Sequence, residues 1–179
     1  DGKADIAVYR PSTGTWYRLN SSNGQFISVV FGLSTDKPAA ADFDGDGKDD
    51  ICVFRPSSGD WYRINSSTNG LVSVHFGANG DKATPTDFDG DGKADISIFR
   101  PTTGDWYRLN SGNGSLGTLR FGQNGDLPAP ADFDGDGKAD HAVFRPSAGT
   151  WYVQRSTSGF LGQSFGTNGD TPSPGSFVY

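Results

Sequence analysis

Short apolar runs separated by clusters of Gly, Pro, Asn and Asp recur along the whole chain, which is how strands joined by tight turns read. Ile51-Cys52-Val53-Phe54 is apolar at every position and predicts a strand covered on both faces. Pro56-Ser57-Ser58-Gly59 reads as a turn. Trp61 to Asn65 is the next strand, with Trp61 and Arg63 on one face and Tyr62 and Ile64 on the other, because successive side chains in a strand point to opposite sides. After a second turn at 65–70, Leu71 to Phe76 is more polar and predicts an outer edge strand. Asn79-Gly80-Asp81 turns the chain again, and Pro85-Thr86-Asp87-Phe88 predicts a short fourth strand.

This pattern repeats. Asp-Gly-Lys begins at residues 1, 46, 91 and 136, a spacing of 45 each time. The units share Arg10/Arg55/Arg100/Arg145, the Pro after each Arg, Gly14/Gly59/Gly104/Gly149 and Trp16/Trp61/Trp106/Trp151 with its following Tyr. Each ends in Phe-Gly at Phe31, Phe76, Phe121 or Phe165, the fourth one residue shorter than the others. Four short antiparallel strands in about 45 residues is the signature of a propeller blade. We therefore expect an all-β fold, a β-propeller of four-stranded antiparallel blades forming one domain over residues 1–179. Sixteen strands are counted, the last at 173–179. That strand is expected to join the N-terminal blade and close four blades into a ring, which removes an exposed edge. The alternative is four blades of a larger propeller or tandem array.

Composition sharpens the picture at one point. Hydrophobic residues make up 34% and net charge is −6, and mean hydropathy is −0.52. No apolar run approaches the ~18–20 residues of a membrane span, and no basic stripe suggests nucleic acid. All 21 acidic residues are Asp and none is Glu. Acid placed only for solubility would include Glu, so the bias points to turns and short-armed metal loops.

Those Asp residues cluster in Asp42-Phe43-Asp44-Gly45-Asp46-Gly47-Lys48-Asp49-Asp50, and the nine-residue pattern recurs at 87–95 and 132–140. Ca²⁺ takes six to eight oxygens, and a D-x-D-x-D-G segment winds so that carboxylates 1, 3 and 5 converge, with a backbone carbonyl at position 7. The expected ligands are Asp42, Asp44, Asp46, the Lys48 carbonyl and Asp50 in the first loop. In the second they are Asp87, Asp89, Asp91, Lys93 and Asp95, and in the third Asp132, Asp134, Asp136, Lys138 and Asp140. An EF-hand would carry Glu at position 12, where this chain has Val53, Ile98 or Val143. Without a cation the crowded carboxylates repel one another; three Ca²⁺ would cancel the charge of −6.

D-x-D-G-D-G-x-x-D before an apolar strand, with Phe-Gly upstream, resembles the FG-GAP/VCBS-type repeats of integrin-like propellers, over essentially the whole chain. The resemblance implies a β-propeller with Ca²⁺ in the loop joining the first two strands of a blade, in extracellular adhesion or surface proteins. Two departures stand out. Phe-Arg-Pro (Tyr-Arg-Pro in the first unit) replaces the Gly-Ala-Pro of the integrin version. At the fourth junction Asp1 and Asp5 remain, while Ser176 and Val178 occupy the first two ligand positions.

The remaining candidates read as structural. The four Trp offer sugar-stacking platforms in a lectin, but each lies inside a strand, which predicts packing between blades under the guanidinium of Arg18, Arg63 or Arg108. Arg10, Arg55, Arg100 and Arg145 are expected to pair with nearby Asp or carbonyls. Cys52 aligns with Ala7, Ser97 and Ala142 and reads as a buried thiol; His75 and His141 have no partner at zinc spacing. Three sequons begin at Asn20, Asn65 and Asn113, in turns where Asn and Ser are expected anyway. The chain begins inside a motif, so it reads as a processed piece without its export signal. No nucleophile–base set, Glu pair or phosphate loop is present, and an enzyme is not expected. The expected function is a non-enzymatic extracellular calcium-binding domain, secreted or at the cell surface, used for adhesion or for binding a protein or glycan ligand. The alternatives are a subunit of a calcium-dependent fibre or surface assembly built from copies of itself, or a propeller lectin.

Overall fold

The computed structural model describes residues 3–174. The chain is a four-bladed β-propeller. The first sheet holds β1 (Ile6–Arg10), β2 (Thr15–Leu19) and β3 (Phe26–Val30), and the second holds β4 (Lys37–Pro38), β5 (Ile51–Arg55), β6 (Asp60–Ile64) and β7 (Leu71–His75). The third holds β8 (Lys82–Ala83), β9 (Ile96–Arg100), β10 (Asp105–Leu109) and β11 (Leu116–Arg120). The fourth holds β12 (Leu127–Pro128), β13 (His141–Arg145), β14 (Thr150–Arg155) and β15 (Gly159–Ser164). All pairings are antiparallel, and sheet order follows chain order from the short inner strand to the outer edge.

The apolar run 51–54 is covered on both faces, as its sequence requires: Cys52, Val53 and Phe54 are all at most 1% exposed. The polar outer strand β7 alternates exposed and half-buried positions. Each hairpin between the second and third strands of a blade turns on a glycine with positive φ. Gly59 has φ +74 and Gly104 φ +74, and a Cβ at either would strike a backbone carbonyl, of Gly77 or Gly122. Only glycine fits there.

One strand differs from expectation. The inner strand of the third blade is Lys82–Ala83, not Pro85–Phe88; Thr86 makes a single isolated bridge to Asp95. The reason lies in the local chemistry. Pro85 has no N–H to give a ladder, and the Phe88 N–H is taken by the Asp95 carboxylate at 3.0 Å. Phe88 itself turns into the core at 4% exposure.

The blades stack through two faces. The Trp61 face of the second blade, with Phe43 and Cys52, packs against Ile96 and Ile98 of the third. The Trp106 face of the third, with Phe88, packs against Val143 of the fourth. The first sheet has three strands among the described residues. The expected closing strand falls mostly on residues 175–179, which lie outside the described residues.

Candidate metal centre

Each Asp loop joins the inner strand of a blade to the next strand, β4 to β5, β8 to β9 and β12 to β13. The local winding is set by the Asp residues themselves. Asp42 accepts the Gly45 N–H at 2.6 Å through Oδ1 and the Gly47 N–H at 2.8 Å through Oδ2. Both glycines have φ +81, so the chain doubles back in a conformation that disfavours any side chain. Asp87 and Asp132 repeat the arrangement.

The last Asp of the loop is the pivot. Asp50 is fully buried, taking the Phe43 N–H at 3.1 Å and the Ser66 N–H at 2.7 Å. Asp95 and Asp140 do the same with Phe88 and Ser111, and with Phe133 and Ser156. Burial raises the Asp95 carboxyl above the usual carboxylate range, against the lowering effect of its Ser111 and Phe88 N–H donors.

The result is three acidic trios. Carboxylate oxygens of Asp42, Asp44 and Asp50 lie within 4.8 Å of one another, as do those of Asp87, Asp89 and Asp95, and of Asp132, Asp134 and Asp136. Nine of the expected side-chain ligands are thus brought together. Asp46 and Asp91 stand outside the first two trios, and Asp140 outside the third. Lys48, Lys93 and Lys138 donate their N–H groups to Asp46, Asp91 and Asp136 at 2.9 Å.

Sequence reasoning missed the partners of the middle Asp residues. The outer hairpin turn between the third and fourth strands of a blade leans on the loop: Ser66 Oγ donates to Asp46 at 2.9 Å and Ser67 Oγ to Asp44 at 2.6 Å. Ser111 contacts Asp91, and Ser156 and Thr157 contact Asp136. These hydroxyls hold the Asp44 and Asp136 carboxyls below their usual range. The only signal was that a Ser or Thr sits in the same turn of each unit, where turn chemistry alone explains it.

The donor set fits a hard cation. It is all carboxylate oxygen, and Asp134 Oδ1 is buried with no hydrogen-bond partner among the described residues. An unpaired buried carboxylate oxygen costs free energy that a coordinated cation removes.

In the middle blades the repeated Trp residues are taken up by packing, and three of the four repeated Arg residues by ion pairs. Trp61 and Trp106 are 2% exposed, and their Nε1–H groups donate to the Phe76 and Phe121 carbonyls at 2.8 and 2.7 Å. Neither ring offers a face to a sugar. The guanidinium groups expected over them lie elsewhere: Arg63 stacks on Phe43 at 5.0 Å and Arg108 on Phe88 at 5.5 Å, because each Phe edge packs between Trp and Arg. Trp16 is half-buried and lines a cavity of about 500 Å³ between the first two blades, with Asp5, Arg18 and Asp50. Arg55, Arg100 and Arg145 form two-pronged ion pairs with buried Asp36, Asp81 and Asp126 at 2.8–2.9 Å. Cys52 is buried, its thiol pushed up to about 12.

FG-GAP-like repeat models match residues 1–53, 42–98 and 87–143, and an FG-GAP repeat model matches 124–164. No curated protein matches the chain. Among solved structures, a streptogramin B lyase superposes with a TM-score of 0.59 at 10% identity, over 92% of this chain and 52% of that one. A virginiamycin B lyase from Staphylococcus aureus gives 0.58 at 9% identity, over 92% and 53%. An auxiliary nutrient binding protein from Bacteroides ovatus gives 0.53 at 13% identity, over 82% and 40%. The chain spans about half the length of these structures, and at such identities the likeness is one of fold. The family models, by contrast, follow the Asp loops from unit to unit, and the chain belongs to the FG-GAP repeat family.

Proposed function

We propose that this chain is a non-enzymatic calcium-binding propeller domain of an extracellular or cell-surface protein, whose Ca²⁺ ions brace the blades so that its loops present a binding surface to a protein or glycan. The observation that carries this reading is that the same loop of three blades gathers three carboxylates within 4.8 Å, the first, third and ninth residues of the loop in two blades and the first, third and fifth in the other. Asp42, Asp44 and Asp50 would hold the first ion, Asp87, Asp89 and Asp95 the second, and Asp132, Asp134 and Asp136 the third. Asp46, Asp91 and Asp140 and the three Lys carbonyls are the reserve of further oxygens in each loop.

Calcium supplies charge neutralisation and a rigid oxygen cage, the service disulfides give other small extracellular folds. Cys52 is the chain's one cysteine, so no internal disulfide is available. Extracellular modules bind Ca²⁺ at about 10⁻⁴–10⁻³ M. At roughly tenfold excess over Kd each site adds about 1.4 kcal/mol. Three sites give about 4 kcal/mol, a large share of the ~5–15 kcal/mol typical of a domain. No helix among the described residues is long and apolar enough to cross a membrane. For a ligand, the cavity beside Trp16 combines an aromatic face with both signs of charge and has the volume of a small-molecule site.

Thermal melts test the reading. Removing Ca²⁺ with EDTA is expected to lower Tm by about 10 °C, with recovery on adding Ca²⁺ but not Na⁺. A melt indifferent to chelation would overturn it.

A further inference from the structure

Two departures from the repeat fall at one junction inside the chain. Gly117 in β11 stands where the other outer strands carry Ile27, Val72 and Leu161. His141 in β13 stands where the other blades carry Ile6, Ile51 and Ile96. Both line the seam between the third and fourth blades.

The consequence is a change of volume. Between the second and third blades, the space around Trp61, Arg63, Val72 and Ile96 is about 10 Å³, room for at most one water. The matching space between the third and fourth blades, lined by Trp106, Arg108, Gly117, Thr118, Leu119 and His141, is about 250 Å³. Each of these junctions has its Phe from the Asp loop, Phe43 or Phe88, buried at 4% exposure. The difference therefore comes from the two changed side chains and not from a chain end. Thr118 is exposed, so the cavity is reached from the outer edge of the third blade.

The glycine also re-aims an arginine. In the second blade Arg63 Nε donates to Asn65 Oδ1 at 3.0 Å. In the third, Arg108 Nε and Asn110 Oδ1 are each buried with no hydrogen-bond partner among the described residues. A Cβ at Gly117 would come within 2.5 Å of Arg108 Nε, so the missing side chain is what lets Arg108 lie across the strand. Its guanidinium stacks on Phe88 at 5.5 Å, and no carboxylate lines the cavity. The His141 ring stacks on Phe88 at 4.6 Å and meets Trp106 edge-on at 5.1 Å, bringing ring nitrogens to a place where isoleucine has no polar atom. An unpaired buried donor costs free energy that an acceptor in the cavity removes.

We infer that the junction of the third and fourth blades binds a small organic monocarboxylate. The carboxylate is held by the Arg108 fork, whose geometry matches it, and His141 adds a ring nitrogen. A compact apolar body lies against Trp106 and Leu119, over Gly117. One guanidinium among apolar and aromatic walls suits a single negative charge; a phosphate dianion would bury a second charge without a partner. The volume is just under the ~300 Å³ at which drug-sized sites begin, which limits the body to a phenyl ring or a short branched chain. The site is separate from the cavity beside Trp16 and uses no residue of the metal loops, so its failure leaves the calcium reading standing.

Nuclear magnetic resonance titration of the Ca²⁺-loaded chain with sodium acetate, isobutyrate and benzoate tests it. Benzoate or isobutyrate should give saturable shifts at the Gly117, Thr118 and Leu119 amides and at the His141 ring. Benzamide, the same shape without the charge, should bind about tenfold more weakly, because a hydrogen bond to a charged group is the stronger one. Gly117→Val with His141→Ile, which installs the residues of the second and third blades, should keep the wild-type Tm and lose the shifts. Arg108→Gln should keep the circular dichroism and weaken binding at least about tenfold, and it decides the matter if the filled variant does not fold. A wild type without saturable shifts from any of the three carboxylates overturns the proposal. So does equal binding of benzamide, or binding that survives in the filled variant. Sulfate bound as tightly as benzoate would overturn it in favour of a bare anion site.

Discussion

Gly104 and His141 show how much a single position decides. Gly104 has φ +74, and a Cβ there would meet the Gly122 carbonyl oxygen. The left-handed conformation alone costs an alanine about 1–2 kcal/mol, and the clash adds to it. Gly104→Ala is expected to destabilise by at least about 2 kcal/mol in urea denaturation, whereas Gly114→Ala, with nothing within 4 Å of its Cβ, should lose less. The sequence announced this glycine by repeating it in every unit. His141 was legible only in part: it occupies the slot filled by Ile6, Ile51 and Ile96, which marks it as apolar in environment but says nothing of its neighbours. Its ring stacks on Phe88 at 4.6 Å and meets Trp106 edge-on at 5.1 Å. Burial, aided by repulsion from Arg108, pushes its pKa down to about 4. The unfolded imidazole titrates near 6.5, so the unfolded chain binds the extra proton first. The neutral ring's contribution is complete above about pH 6.5 and is lost as pH falls toward 4. Wild type should lose up to about 3 kcal/mol across that window relative to His141→Ile. Equal pH slopes for the two proteins would show that the imidazole is not held neutral.

Strands and their connectors divide by whether their partners lie nearby in sequence. β5, β6 and β7 were legible because their apolar alternation and flanking turns are local. The inner strand was misplaced by three residues: two residues of ladder carry almost no periodic signal, and Pro85-Thr86-Asp87-Phe88 has the more apolar pattern. The partner of each Arg was also hidden. Asp36, Asp81 and Asp126 lie 19 residues before Arg55, Arg100 and Arg145, across an Asp loop, and only folding brings them together. These pairs tie the segment crossing from one blade to the strand of the next. Asp81 is 1% exposed at its side chain and Arg100 32%. Removing one partner of a fully buried pair costs about 3–5 kcal/mol; with the guanidinium partly in water, Arg100→Met should cost about 2–3 kcal/mol. Chemical denaturation should show that loss, and Arg100→Lys should recover only part of it, since an ammonium cannot bond both carboxylate oxygens at once. Full recovery by Lys would mean that charge, not the fork, holds the crossover.

At the scale of the whole molecule the Asp loops form a connected series. The Ala94 N–H donates to the Asp42 carbonyl at 2.6 Å, and the Ala139 N–H to the Asp87 carbonyl at 2.7 Å. Each bond joins a residue at one end of a loop to the first acidic residue of the loop before it. The Lys93 side chain also lies over Gly45, and that of Lys138 over Gly90, where a Cβ would come within 2.9 and 3.0 Å of them. An ion that fixes the backbone of one loop therefore fixes an anchor point of its neighbour. A second ion then binds a partly ordered site and gives up less conformational entropy, which is positive coupling without a change of fold. Coupling of about 1 kcal/mol corresponds to roughly fivefold in affinity. On the calcium reading, calorimetric titration of the wild type should show one steep transition. The central loop, 87–95, contacts both others, so Asp89→Asn should weaken Ca²⁺ binding at the two outer sites as well as its own. Asp134→Asn, in the terminal loop, should leave the first loop's affinity nearly unchanged, because the backbone bonds that link the loops run from 87–95 to 42–50 and from 132–140 to 87–95. Three independent sites with the same Kd in every variant would show that the loops share a sequence and nothing else.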